Sequence, residues 1–188
     1  LAVAGCASLV DRHADGAIIF DIGGGSSELI WLDLKNSKMA GRGIARRIRT
    51  WASLPVGVVN ISERHGGVNV TPSIFEAMVA EVLTLLDDFP EVDALNAMVA
   101  KGEVHMLGTS GTVTTLAGVH LGLDHYDRRK VDGIWLSTGD VSLMTQKLLH
   151  MSYDERSLNA CIGRERADLV LGGCAILEAL RRKWPCNR

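Results

Sequence analysis

The chain is poor in aromatic residues, and its charges nearly cancel. Aromatic side chains make up 5% of its 188 residues, which argues against a surface that stacks nucleic acid bases. Twenty basic and 22 acidic residues leave no overall field that would draw the protein to nucleic acid or to a membrane. No apolar run reaches the roughly 18 residues that a membrane-spanning helix needs. We therefore expect neither a nucleic acid nor a membrane as a partner.

The four cysteines include no C-x-x-C pair, and Cys161 and Cys174 lie in apolar or helical surroundings. Reduced thiols in the core of a cytoplasmic protein are the simplest interpretation. The first six residues superficially resemble a lipoprotein cleavage site, but no basic segment or long apolar run precedes them, so we expect no signal peptide. The chain starts without a methionine or a helix cap, and we expect it to be part of a longer protein.

Several common catalytic motifs are absent. The chain has neither the P-loop pattern G-x-x-x-x-G-K-[ST] nor the dinucleotide pattern G-x-G-x-x-G. Around Ser110 the second glycine comes one residue too early for a nucleophile elbow, which argues against a serine esterase. One group of potential ligands lacks the spacing of a known metal motif, and we interpret it as a surface cluster: His120, Asp124, His125 and Asp127.

The clearest positive signal is a glycine-rich turn, residues 23–26, between two apolar runs that we interpret as strands. Adjacent glycines allow successive backbone N–H groups to surround an oxyanion. Asp21 stands at the end of the first strand, where its carboxylate suits Mg²⁺ or an ordered water. Glu28 follows the turn and is a candidate proton acceptor or second metal contact. The alternative is an ordinary glycine-rich hairpin.

A second glycine-rich segment, residues 108–112, follows a predicted strand at 104–107 and precedes a predicted helix at 113–121. A strand, a short turn and a helix place free N–H groups and the positive end of the helix dipole at the turn. This segment is a second candidate anion site. The alternative is a simple helix cap formed by Thr112.

The remaining elements follow from apolar periodicity and capping residues. Thr71 and Pro72 open a helix that ends before Pro90, and Ser73 with Glu76 offers a second way to cap it. A basic run from Lys35 to Arg49 is interpreted first as a solvated hairpin surface and second as a polyanion contact. The other predicted elements are a helix at 1–12, a strand at 51–61, a strand or extended edge at 130–136, a helix at 139–149, a short helix capped by Ser152, and a final helix at 164–184 that contains Gly172 and Gly173.

Taken together, these motifs resemble those of the exopolyphosphatase and guanosine pentaphosphate phosphohydrolase (Ppx/GppA) family. The resemblance begins with the segment D-I-G-G-G-S-S-E-L at residues 21–29 and S-L-P-V-G at 53–57. It continues with G-T-S-G-T-V-T-T-L at 108–116, Y-D at 126–127, K-V-D-G at 130–133 and R-E-R-A-D at 164–168. The matches lie in order along nearly the whole chain, which makes them far more specific together than singly.

The resemblance implies an α/β fold of the RNase H-like type found in the actin-like ATPase superfamily, with a mixed sheet of about five strands and helices on both faces. It also implies that residues 1–188 form the second, C-terminal domain of a two-domain protein whose active site lies between the domains. The family's first domain, its proposed catalytic glutamate and its closing motif would then lie outside this chain.

The function implied is Mg²⁺-dependent removal of a terminal phosphate from inorganic polyphosphate or pppGpp by attack of water. In that reading Glu28 is catalytic and Asp21 holds the metal. Alternatives are a non-catalytic module that binds polyphosphate or a guanosine phosphate, and an ATP-dependent kinase of the same superfamily. Exposed apolar surface on a single domain favours a homodimer. The residues expected to bind phosphate are Gly23, Gly24, Gly25, Ser26, Gly108, Thr109, Ser110, Gly111 and Thr112.

Overall fold

A computed structural model of the chain describes residues 5–11, 13–35 and 43–186. Their centre is a four-stranded mixed sheet in the order β3-β2-β1-β4. The strands are β1 (Gly16–Ile22), β2 (Ser27–Asp33), β3 (Ile48–Leu54) and β4 (Val104–Thr109). β2 runs antiparallel to both β1 and β3, whereas β4 runs parallel to β1. The α/β class and the mixed sheet are as predicted.

Eight α-helices lie in the described part of the chain, together with a short 3-10 turn at Ile44–Arg47. The second of them begins after Thr71, whose hydroxyl accepts a hydrogen bond from the Ile74 N–H at 3.3 Å, so the first of the two predicted caps is the one used. The helices are α1 (Val58–His65), α2 (Pro72–Asp87), α3 (Val92–Val99), α4 (Gly111–His120), α5 (Arg128–Val131), α6 (Thr138–His150), α7 (Tyr153–Leu158) and α8 (Val170–Lys183).

The two faces of the sheet are covered differently. On one face, alternate residues of β1 and β2 join a large apolar cluster with α1, α2, α3, α4, α6 and α8. On the other face, Ala17, Ile19, Leu32 and Leu107 pack against Cys6 and Val10, with Ile44 at the margin. The described residues thus place helices against one face, and helices on the second face are not confirmed by them.

Helix α8 crosses the core at close range because it carries two adjacent glycines. A Cβ on Gly172 would lie 2.7 Å from Ser62 Oγ and 2.8 Å from Ile61 Cγ2 of helix α1. A Cβ on Gly173 would overlap the side chain of Thr112 at the start of α4. The two glycines thus lower the helix propensity of α8 but allow close packing on both sides of it.

Several predicted elements are confirmed within a few residues. These are both strands around the first glycine turn, the strand before the second, and the helices at 72–87, 111–120, 138–150 and 153–158. The helix predicted at 1–12 falls partly outside the described residues, and residues 6–9 form turns.

Three predicted elements are wrong in type or extent. The strand predicted at 51–61 ends at Leu54, and helix α1 follows because Val58 and Val59 donate to carbonyls of the first glycine turn. The segment predicted as a strand or an extended edge, 130–136, contains the end of helix α5 and then irregular backbone, so the described sheet has four strands. The final helix starts at Val170 rather than 164, because the buried Arg156 guanidinium binds the Ala167 carbonyl and holds that segment in turns.

The cysteines form no disulfide: all four are free, and Cys161 and Cys174 are buried as predicted. Burial raises the pKa of the Cys174 thiol to about 12. Among the described residues, none of the helices has both the length and the apolar character to cross a membrane.

Candidate active site

Four polar side chains form one row across the sheet, where β1 ends. The strand register pairs Ser53 with Glu28, Glu28 with Asp21, and Asp21 with Thr109. Because paired residues in neighbouring strands point to the same face, the two acidic side chains lie side by side. The sheet therefore brings together the predicted metal ligand and the predicted catalytic residue.

The Glu28 carboxylate is held in place by two hydroxyl groups. Ser26 Oγ and Ser53 Oγ both donate to its Oε1, at 2.7 Å and 3.0 Å. Its Oε2 accepts no hydrogen bond from the described residues, which leaves that oxygen available to a water or a metal. The Ser26 hydroxyl is thereby occupied, so any contact between Ser26 and phosphate would come from its backbone N–H.

The first glycine loop, residues 23–26, is fixed through its carbonyl groups. The Gly23 and Gly24 carbonyls accept from Val58 N–H at 2.9 Å and Val59 N–H at 2.8 Å, in the first turn of α1. The side chain of Asn60 donates to the Gly25 carbonyl at 2.8 Å. Helix α1 thus holds the carbonyl groups of the loop. The Gly23 N–H donates to the Ser26 carbonyl at 2.9 Å, and the N–H groups of residues 24–26 have no partner among the described residues.

The outer part of this loop has free space around it. A Cβ on Gly24 would make an ordinary contact of 3.5 Å with Val59, and a Cβ on Gly25 would meet nothing within 4 Å. Neither residue has a backbone conformation restricted to glycine. The fold of the described residues therefore does not require glycine at these two positions, whereas close approach of a ligand to the backbone would.

The second glycine loop, residues 108–112, lies directly beside the first. Thr109 Oγ1 donates to the Phe20 carbonyl at 3.3 Å, and Ser110 Oγ donates to the Ile22 carbonyl at 3.2 Å. These two bonds join the end of β4 to the end of β1, just before Gly23. The structure thus brings both predicted anion-binding loops together, with the two hydroxyls occupied by the backbone.

Helix α4 begins from this loop without a side-chain cap. Ser110 is its N-cap residue and has φ of 78° and ψ of −175°, a conformation that non-glycine residues rarely adopt. Thr112, the alternative cap considered from the sequence, is buried against Gly173 of α8. Thr112 would therefore contribute to an anion site only through its backbone N–H.

Arg166 is a site residue whose role the sequence alone did not assign. Its guanidinium lies against Gly111 at the start of α4, 3.4 Å from the position of a Cβ there, and donates to Thr115 Oγ1 at 3.4 Å. The described residues provide no carboxylate partner for it. The sequence signal for Arg166 is the R-E-R-A-D segment, which contributes to the family resemblance without indicating a chemical role.

The basic run does not reach the glycine loops within the described residues. β2 begins beside the site at Ser27 and ends at Asp33, so the basic run that follows it lies at the opposite end of the sheet. Lys35 pairs with Asp15, Arg49 pairs with Glu91, and Arg47 donates to the Leu34 carbonyl. These contacts favour the interpretation as a solvated surface; Lys38 and Arg42 lie outside the described residues.

No group of three or more histidine, cysteine or acidic side chains in residues 5–11, 13–35 and 43–186 is arranged to hold a metal ion by itself. Among the surface ligands considered from the sequence, Asp127 caps α5 and pairs with Arg129, and His120 approaches Asp140 at 4.0 Å. This agrees with their interpretation as a surface cluster.

Solved structures of similar fold provide a comparison for this geometry. An exopolyphosphatase-like protein is 28% identical, with a TM-score of 0.76 over 93% of this chain and 50% of its own. A Ppx/GppA family member from Aquifex aeolicus is 21% identical, with a TM-score of 0.71 over 99% of this chain and 54% of its own. At 21% identity, the similarity to the Aquifex aeolicus protein shows a shared fold only.

Comparison of sequences leads to the same family. Exopolyphosphatase 2 of Mycobacterium tuberculosis is 24% identical over 168 residues, which are 88% of this chain and 47% of that protein. The chain thus spans about half the length of the curated relatives it matches. The family model for Ppx/GppA phosphatases matches residues 1–184. The chain therefore belongs to the Ppx/GppA phosphatase family.

Proposed function

We propose that this domain takes part in the removal of a terminal phosphate from inorganic polyphosphate or pppGpp by Mg²⁺-assisted attack of water. One observation carries the proposal: Asp21 and Glu28 lie side by side at the mouth of a glycine loop whose outer positions do not need glycine for folding. An acidic pair beside exposed backbone N–H groups suits a metal-bound phosphate chain.

The two carboxylates fit the requirements of Mg²⁺. This ion is usually held by one or two carboxylates together with waters and phosphate oxygens, rather than by a complete set of protein ligands. Asp21, with Glu28 beside it, offers such a partial set. When bound, the ion would neutralise negative charge that develops on the phosphate oxygens.

The other residues have separate tasks in this proposal. The N–H groups of residues 24–26 bind oxygens of the terminal phosphate from one side, and the start of α4 with Arg166 binds oxygens of the same phosphate from the other side. Glu28, fixed by Ser26 and Ser53 through Oε1, orients the attacking water through Oε2. A carboxylate held by two hydroxyls loses little freedom when that water binds, which supports a positioning role for Glu28.

The test is release of inorganic phosphate from polyphosphate and from pppGpp, assayed in parallel with Mg²⁺ on the complete gene product. We expect Glu28→Gln to lower kcat on the order of 100-fold with a much smaller change in KM, because its role is in orienting water. Asp21→Asn should weaken the dependence of the rate on Mg²⁺. Glu63 is an exposed residue of α1, so Glu63→Gln makes the same chemical change away from the site and serves as the matched control. It should leave kcat and KM unchanged.

Two results would overturn the proposal. An unchanged kcat in Glu28→Gln would remove Glu28 from the reaction. Tight binding of either substrate to the wild-type protein without any release of phosphate would instead identify a non-catalytic binding module.

A further inference from the structure

Trp51 lies on the same face of the sheet as the acidic pair. On β3 it is two residues from Ser53, whose hydroxyl donates to Glu28, and alternate residues of a strand point to the same face. The register pairs Trp51 with Ile30, which is two residues from Glu28 along β2. Trp51 therefore occupies the row next to the row formed by Ser53, Glu28 and Asp21.

The indole ring of Trp51 is exposed, with 63% of the residue accessible. Trp31 and Trp184 are fully buried. Trp135 is also exposed, at 55%, but its ring packs against His105, with 5.7 Å between the ring centroids. Within the described residues Trp51 has no ring partner and no cation over its face. A large aromatic surface is thus open to solvent beside the candidate active site.

The spacing between Trp51 and the acidic pair suits a nucleotide. Diagonal neighbours in adjacent strands lie about 7–8 Å apart, which sets the distance from Trp51 to Glu28. Asp21 is one strand further, about 12 Å from Trp51 by strand spacing and rise. A ribose and a short phosphate chain can cover this span, with the terminal phosphate at Asp21 and the base at Trp51.

We propose that Trp51 stacks against the base of a guanosine phosphate and so favours pppGpp over inorganic polyphosphate. The proposal rests on the proposed function, since it assumes that the phosphate chain lies at the first glycine loop. Every nucleobase offers a flat π-face that can stack on an aromatic side chain, whereas polyphosphate has none. Ile30, which is paired with Trp51 across the strands, offers an apolar contact to the edge of the base.

The first experiment compares the two substrates in Trp51→Ala and Trp51→Phe. We expect Trp51→Ala to raise KM for pppGpp about tenfold and to leave KM for polyphosphate unchanged, whereas Trp51→Phe keeps most of the affinity because it keeps an aromatic face. An equal effect of Trp51→Ala on both substrates, or no effect on either, would overturn the inference. Release from polyphosphate together with inability to use pppGpp would also overturn it, while leaving the proposed function intact.

The second experiment does not depend on turnover. Trp135→Phe removes the other exposed indole, so the solvent-sensitive emission of that variant comes from Trp51. We expect pppGpp to quench this emission in a saturable way, and polyphosphate at equal phosphate concentration to leave it unchanged. The double variant Trp51→Phe with Trp135→Phe corrects for absorption by guanine. Absence of saturable quenching by pppGpp would overturn the inference even if no phosphate release is detected with any substrate.

Discussion

The two glycine loops of the candidate site lie side by side, yet they use glycine for different reasons. In the second loop, a Cβ on Gly108 would lie 2.5 Å from both Phe20 Cζ and Val113 Cγ1, so packing alone explains the residue. In the first loop, a Cβ on Gly25 would meet nothing within 4 Å. A glycine that the fold does not require indicates a requirement from outside the fold, and close approach of a phosphate to the backbone would supply it.

The N-termini of the helices show a similar difference. Helices α6 and α7 each begin with a serine and a carboxylate in a capping box, formed by Ser137 with Asp140 and by Ser152 with Glu155. Helix α4 begins at the site with Ser110 in a strained conformation and without a side-chain cap. The N–H groups in the first turn of α4 therefore have no carboxylate partner among the described residues, whereas α6 and α7 each have a carboxylate at their N-terminus.

The largest expected effect comes from substitution in the open loop. Gly25→Ala should keep the fold, because its Cβ finds free space, and should lower phosphate release on the order of 100-fold by keeping phosphate from the backbone N–H groups. Phosphate release and the urea midpoint of unfolding, measured on the same sample, check both parts. Full activity in a folded Gly25→Ala protein would mean that this loop does not bind the substrate.

The reverse pattern is expected in the packed loop. Gly108→Ala should lower the free energy of unfolding by about 1–3 kcal/mol, because Phe20 and Val113 must move to admit the new methyl group. Urea unfolding of Gly108→Ala and Gly25→Ala under the same conditions compares their free energies of unfolding directly. If the two variants are equally stable, the distinction between a packed loop and an open loop is wrong.

Local signals in the sequence predicted most of the fold. The glycine turn between two apolar runs gave β1 and β2, and Thr71 with Pro72 marked the start of α2. Helix α1 was missed because two β-branched valines, Val58 and Val59, continued the apolar pattern of a strand. What begins the helix there is the contact of their N–H groups with Gly23 and Gly24, some 35 residues earlier in the chain, which no local pattern shows.

The candidate site was predicted in its parts but not in its arrangement. The sequence placed Asp21 and Glu28 on either side of a turn, and an antiparallel pair necessarily sets such residues opposite each other. Ser53 and Arg166 come to the site through strand register and a long loop, so the sequence motifs that contain them do not show what these two side chains contact. The hydroxyls of Thr109 and Ser110 are bound to β1 because β4 ends beside it, a tertiary contact that spacing does not encode.

The smallest expected effect concerns the capped helices and depends on pH. The Ser152 N–H donates to Glu155 at 2.7 Å, and this bond, followed by that of the Ser152 hydroxyl, lowers the pKa of Glu155 below its ordinary value. A carboxylate with a lowered pKa stabilises the fold at pH values above its unfolded pKa of about 4.3, and that contribution is lost as the pH falls through the folded pKa.

Urea unfolding of Glu155→Gln should therefore show a small loss of stability at pH 7 that disappears in acid. Glu165→Gln, in an exposed turn, is measured beside it as the control. A constant difference between Glu155→Gln and wild type at every pH would mean that the carboxylate does not cap α7 through its charge, and the contrast with the uncapped start of α4 would then rest on the Ser152 hydroxyl and on the capping box of α6.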